Sequence, residues 1–254
     1  MKRNYLLTSI LFFSFVLFLN CDNDNEVAYV GEATIAAKLQ FSEAISGRLT
    51  DVPAGARVSI YYENSPTALY SGATTEGGLF TYKAPAIGKY HMIVQRKDTI
   101  LQFNSTLVKQ ADIDTLRSNE FEYISYTGSD DFQIQKNSRV ERTIVLEPAL
   151  TAIRLKTKDQ AGNVLRNVSF CVYDNVDFYN SNFPYCGGSI KYLSTNNEGI
   201  ALLTGLNANT MYYINAKGKI GVVEVSNHYE WEAQIVVSGE QSSIKDVDLV
   251  LKAQ

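Results

Sequence analysis

The sequence predicts an all-β chain: two tandem antiparallel β-sandwich domains behind an N-terminal leader. Three observations carry this. Tyr (16) and Phe (12) are plentiful in a chain that is 45% hydrophobic and 20% charged, a globular composition weighted towards strand-favouring residues. The body repeats one strand-and-turn pattern twice. No window of a dozen residues carries an apolar stripe at i, i+3, i+4, i+7 between helix caps; the best helical candidate is a short piece at residues 110–118. The length of 254 residues suits two domains of ordinary size.

The leader occupies residues 1–20. Lys2 and Arg3 precede an apolar run over residues 6–19. At roughly 1.5 Å per residue that run spans about 21 Å, short of a bilayer core of about 30 Å, so it reads as a signal peptide. It ends in Phe18-Leu19-Asn20-Cys21, which resembles the lipobox of bacterial lipoproteins. The resemblance implies that Cys21 is acylated and becomes the first mature residue, anchoring the chain in the outer membrane. Asn20 departs from the small residue usual at that position. The run Asp22-Asn23-Asp24-Asn25-Glu26 follows. It resembles the acidic export signal of surface lipoproteins in Bacteroidetes, and it opens a polar tether over residues 21–43 that would stand off an anionic membrane.

The two copies are then expected at residues 44–149 and 150–254. The first opens with residues 44–51 and the second with residues 152–159. Each turns at Gly, at 52–56 and 160–163, and continues into a strand at 57–62 and 167–173. Thr74-Thr75-Glu76-Gly77-Gly78-Leu79-Phe80 parallels Thr195-Asn196-Asn197-Glu198-Gly199-Ile200-Ala201. Residues 86–94 parallel 208–216, and the closing strands lie at 142–146 and 246–251. In the last, Val247, Leu249 and Leu251 alternate with Asp246 and Asp248, the period of a half-buried strand.

Gly47, Gly55-Ala56, Thr74 to Phe80 and Gly88-Lys89-Tyr90 together resemble the carboxypeptidase regulatory-like (transthyretin-like) and collagen-adhesin B-type superfamily. That implies prealbumin-like or Ig-like sandwiches and says little about function. Such adhesin domains can carry a Lys–Asp isopeptide. Lys156 and Asp248 lie in suitable strands, but the alternation points Asp248 outward.

Two insertions interrupt the pattern, at residues 101–138 and 174–192. Long loops on a rigid sandwich are where binding usually sits. The second is bracketed by Cys171 and Cys186, which in an oxidising compartment are expected to bond and to close a loop of about 16 residues. It carries Phe178, Tyr179, Phe183, Tyr185 and Tyr192 with Asn175, Asn180 and Asn182 between them. Aromatics beside amides make either a glycan- or peptide-binding face or a small core of their own. Asp98-Thr99-Ile100 and Asp114-Thr115-Leu116 resemble O-glycosylation sites of exported Bacteroidetes proteins, which implies Thr99 and Thr115 as acceptors.

The chemical inventory is thin. Formal net charge is −4 and no basic patch is present, which argues against nucleic acid. Two His and three Cys leave little for a metal, cofactor or nucleophile. His91 and His228 fall in different copies, and no Gly-x-Ser-x-Gly elbow accompanies them. The expected function is therefore a non-catalytic, lipid-anchored surface binding or accessory protein for a glycan, a host protein or a transporter. A fimbrial or envelope-assembly subunit comes second and an envelope hydrolase last.

Overall fold

The computed structural model describes residues 32–182, 185–227 and 235–253. The leader, Cys21 and the first part of the tether lie outside them. Among the described residues no helix is long and apolar enough to cross a membrane. The chain is all-β, with two eight-stranded sheets in succession, each folded over itself as a sandwich.

The first sheet holds β1 (Thr34–Ser42), β2 (Leu49–Asp51), β3 (Arg57–Tyr62), β4 (Tyr70–Ala73), β5 (Leu79–Lys83), β6 (Gly88–Leu101), β7 (Phe121–Ile134) and β8 (Arg139–Pro148). Its order is β2-β1-β8-β7-β6-β3-β4, with β5 also on β1. The second holds β9 (Ala152–Asp159), β10 (Ser169–Tyr173), β11 (Lys191–Ser194), β12 (Ile200–Leu203), β13 (Met211–Ile220), β14 (Val223–Ser226), β15 (Ile235–Val237) and β16 (Ile244–Ala253). Its order is β11-β10-β13-β14-β16-β9-β12, with β15 on β13. The layers of each sandwich are joined by one short corner, β7 to β8 at Tyr126↔Pro148 and β14 to β16 at Val225↔Ala253.

Four expectations are corrected. Residues 34–42 of the expected tether form β1, which pairs with β2, β5 and β8. Ile35, Ala37, Leu39 and Phe41 point inward and are buried, but two alanines and Lys38 flatten the hydrophobic signal. The opening strand at 152–159 consequently corresponds to β1 and not to residues 44–51. The sheets are not wholly antiparallel: β1 runs parallel to β8 and β9 parallel to β16. First and last strands of a domain lie side by side, so the whole domain forms the crossover that a parallel pair requires. Residues 121–134 of the first insertion are a full strand, which leaves a strap at residues 102–120 that carries only a 3₁₀ turn, Gln110–Thr115. The one α-helix among the described residues is α1 (Val176–Asn182), in the second insertion.

The downstream register of the repeat holds. Tyr90 and Tyr212 each sit in the strand pair expected of them, and their hydroxyls meet the backbone at Ala86 and Asn207. Ile60↔Met92 in one domain corresponds to Val172↔Ile214 in the other. The two cores touch, since Ala152 and Leu202 of the second domain are buried in the first domain's cluster.

Candidate functional site

Asn175 starts α1: its side-chain oxygen accepts the backbone N–H groups of Asp177 (2.7 Å) and Phe178 (3.3 Å). Cys171 and Cys186 are disulfide-bonded, with their Cα atoms 5.4 Å apart, and pin this loop to β10.

The aromatic residues of the loop separate. Tyr179 is 2% exposed and packs edge-on against Tyr173, with ring centroids 5.7 Å apart. With the disulfide these rings make a small core, and burial drives the Tyr179 hydroxyl pKa upward. Tyr179 is thus no contact for a ligand, because a helix face that caps the sheet must bury its largest ring. Phe178 and Tyr185 stay exposed on the outside. Phe183 lies outside the described residues.

Tyr192 goes elsewhere. It stands on edge strand β11, 50% exposed, and its ring meets Phe103 of the strap at 5.7 Å. Among the described residues no ring contact joins it to Phe178 or Tyr185. Phe103 is 52% exposed, and the sequence singled out no residue of this strap as a ligand contact. The one available signal was a lone phenylalanine between polar residues, Gln102-Phe103-Asn104.

The strap reaches across the domain boundary by backbone chemistry. The Phe103 carbonyl accepts the Ser194 N–H at 2.7 Å, and the buried Ser105 hydroxyl accepts the Leu202 N–H at 2.8 Å. Each bond satisfies an N–H on an edge strand of the second sheet that would otherwise lack a partner. Beneath lies a polar chain. Lys191 Nζ donates to the Thr204 carbonyl (2.7 Å) and hydroxyl (2.8 Å), and that hydroxyl donates to the Glu122 carboxylate (2.6 Å). Burial lowers the Lys191 pKa, and the nearby Glu122 charge works against that.

The result is a groove of about 400 Å³ between the domains. Phe103 and Tyr192 line it together with Gln102, Asn104, Asn119 and Glu120. An aromatic pair flanked by amides and a carboxylate offers flat apolar area with directional hydrogen-bonding arms.

The other sequence candidates scatter. Thr99 is 5% exposed inside β6, so in the folded chain its hydroxyl is closed to a glycan. Thr115 is exposed at the end of the 3₁₀ turn, its hydroxyl donating to the Asp112 carbonyl at 2.7 Å. Lys156 Nζ pairs with Asp246 (3.0 Å), while Asp248 pairs with Lys158 (3.3 Å). His91 meets Asp131 at 2.8 Å on the surface, and His228 lies outside the described residues. Among the described residues no group of three His, Cys, Asp or Glu could hold a metal.

No protein-family model matches this chain, and no curated protein does. Several solved structures are similar to it at low identity. A candidate cell adhesion protein from Bacteroides ovatus is 12% identical with a TM-score of 0.40; the match covers 89% of this chain and 96% of that one. A fimbrial assembly protein from Parabacteroides distasonis is 8% identical with a TM-score of 0.39, covering 85% and 90%. The Bacillus anthracis TIE protein is 18% identical with a TM-score of 0.28. There the match takes in 87% of this chain and 34% of the TIE protein, so this chain spans about a third of its length.

Proposed function

We propose that this chain is a lipid-anchored, surface-facing binding protein without catalytic function, and that it holds a glycan across the interdomain groove. One observation carries the reading: Phe103 and Tyr192, brought from different domains, both stay half exposed over a cleft edged with amides. Tyr179, by contrast, is buried. The Cys21 anchor, and the domain limits this reading uses, residues 32–149 and 150–254, belong to the same proposal. So does Thr115 as an exposed glycan acceptor.

Two experiments test it. Protease shaving of intact cells should degrade the tagged protein, with permeabilised cells as the control; survival until permeabilisation removes the surface role. A glycan array should return a ligand whose affinity falls about tenfold in Tyr192→Ala and in Phe103→Ala, the loss of one stacking face and its buried area. Equal binding by wild type and both variants places the ligand elsewhere.

One observation favours a second reading, an assembly subunit. The strand that follows the tether, β1, is central, and its inward side chains Ile35, Ala37, Leu39 and Phe41 are all buried. A subunit that exchanged this strand with a neighbour would give SDS-resistant ladders.

A further inference from the structure

At the turn between β13 and β14 the second domain runs out of core. The two strands pair through Lys219↔Glu224 and Ile220↔Val223, and Gly221-Val222 closes them as a two-residue hairpin loop with Gly221 at φ +63°. Ile220 follows Gly218, and Val223 precedes Val225, on one face of the hairpin. Val225 is buried in the core, whereas Ile220 and Val223 stand past its end and are exposed. Val222 is 94% exposed, the most open large apolar residue among those described. Tight turns draw on Gly, Pro, Asn, Asp and Ser; here every side chain at the tip is apolar.

The tip is remote from the first domain. β16 starts at Ile244 beside Ala152, which is buried against the first domain, and ends at Ala253 beside Val225. The turn lies beyond that last pair, at the free end of the second domain.

Cations gather next to it. A hollow of about 410 Å³ beside the hairpin is lined by Arg166, Asn167, Ser169, Lys217, Lys219 and Glu224. Three of these are cations and one is an acid, in a chain whose formal net charge is −4. Lys219 meets Glu224 only at 3.9 Å, with both side chains about two-thirds exposed, a pair that contributes little. Arg166 is exposed, and among the described residues no ion pair or side-chain hydrogen bond engages it.

We infer that this end of the second domain docks onto a lipid surface of anionic headgroups. Val222, Ile220 and Val223 enter the boundary between headgroups and acyl chains, and Arg166 and Lys219 meet the lipid phosphates. Buried apolar area plus attraction to anionic lipid is what holds an interfacial segment in place. A protein occupant fits less well. The tip is convex, and its three side chains fall far short of the roughly 800 Å² per partner that a standard interface buries. The inference needs neither the groove nor the Cys21 anchor.

Co-sedimentation tests it, using the chain from residue 22, which holds every strand of both sheets and lacks Cys21. The vesicles are phosphatidylcholine alone and phosphatidylcholine mixed with phosphatidylglycerol. The protein should pellet with the mixed vesicles and not with phosphatidylcholine, and high salt should weaken the binding. Val222→Ser should weaken it about tenfold, the loss of one buried valine, and Arg166→Gln about fivefold, the loss of one cation at the surface. Both side chains are exposed, so neither change touches the core. No pelleting with the mixed vesicles, equal pelleting with phosphatidylcholine, or full affinity in either variant would overturn it. Complete release by inorganic phosphate at constant ionic strength would assign a free anion, and self-association lost in Val222→Ser would assign a second copy; either would overturn the lipid surface.

Discussion

Thr74 and Thr195 stand at the same joint in the two domains. Each hydroxyl accepts a buried amide hydrogen, from Ala56 in one and Val168 in the other, both at 3.0 Å. Each also faces a carbonyl of the preceding turn, Pro53 or Leu165. Four residues on, Gly78 and Gly199 take φ of +65° and +71°. A Cβ at Gly78 would meet the Leu39 carbonyl at 2.4 Å, and one at Gly199 the Val164 side chain at 2.4 Å. The clasps differ. In the first domain β6 and β7 pair along all of Gly88–Leu101. In the second, β13 divides its length between β14 and β15, and a disulfide ties β10 to the neighbouring loop. The repeat keeps its turns, where backbone geometry is least forgiving, and varies how the outer strands are held.

If the disulfide replaces the missing hairpin length, its loss should fall on one domain. On chain-entropy grounds a closed loop of this size stabilises by about 3 kcal/mol. Scanning calorimetry of the Cys171→Ser, Cys186→Ser double variant should show the second-domain transition falling while the first holds within error. Movement of both transitions together would mean that the domains melt as one unit and that the clasp serves the whole chain.

The shared joint predicts the opposite symmetry. Thr74→Val and Thr195→Val each leave a buried N–H without a partner, at a cost of about 2 kcal/mol. Denaturant melts followed by a domain-specific probe should show matched losses, one in each domain. A loss confined to one variant would show that the two turns are alike only in outline.

These joints were legible in the sequence because turn chemistry is local: Thr and Gly four residues apart say where a capping hydroxyl and a left-handed residue stand. The closing strand of the second domain was legible because Val247, Leu249 and Leu251 alternate cleanly. Strand β1 was hidden because Ala36 and Ala37 blur the contrast between its faces, and its partner β8 lies about a hundred residues away. The disulfide followed from compartment and count. The groove did not, since Phe103 and Tyr192 come from different domains and no periodicity links them. Tyr179 misled because an aromatic residue beside amides looks the same in sequence whether it faces water or the Tyr173 ring.

The smallest effect expected separates the two domains by pH. Tyr126 packs edge-on against Phe41 and accepts the Ala44 N–H, and burial raises its hydroxyl pKa from 10.0 to about 12. A phenol whose folded pKa lies above its unfolded value lends stability that is complete below pH 10 and drains away as pH climbs towards 12. Tyr126→Phe cannot ionise. At neutral pH it should cost about 1 kcal/mol, because the Ala44 N–H loses its acceptor. Above pH 10 the wild type should lose roughly 1.4 kcal/mol per pH unit that the variant keeps, so the two first-domain stability curves should converge and cross. In the second domain burial also raises the pKa of Tyr179. Tyr179→Phe should therefore flatten the alkaline limb of the second domain. Calorimetry of both variants across the alkaline range checks this. Parallel wild-type and variant curves in the first domain would mean that the Tyr126 pocket opens to water before its hydroxyl ionises.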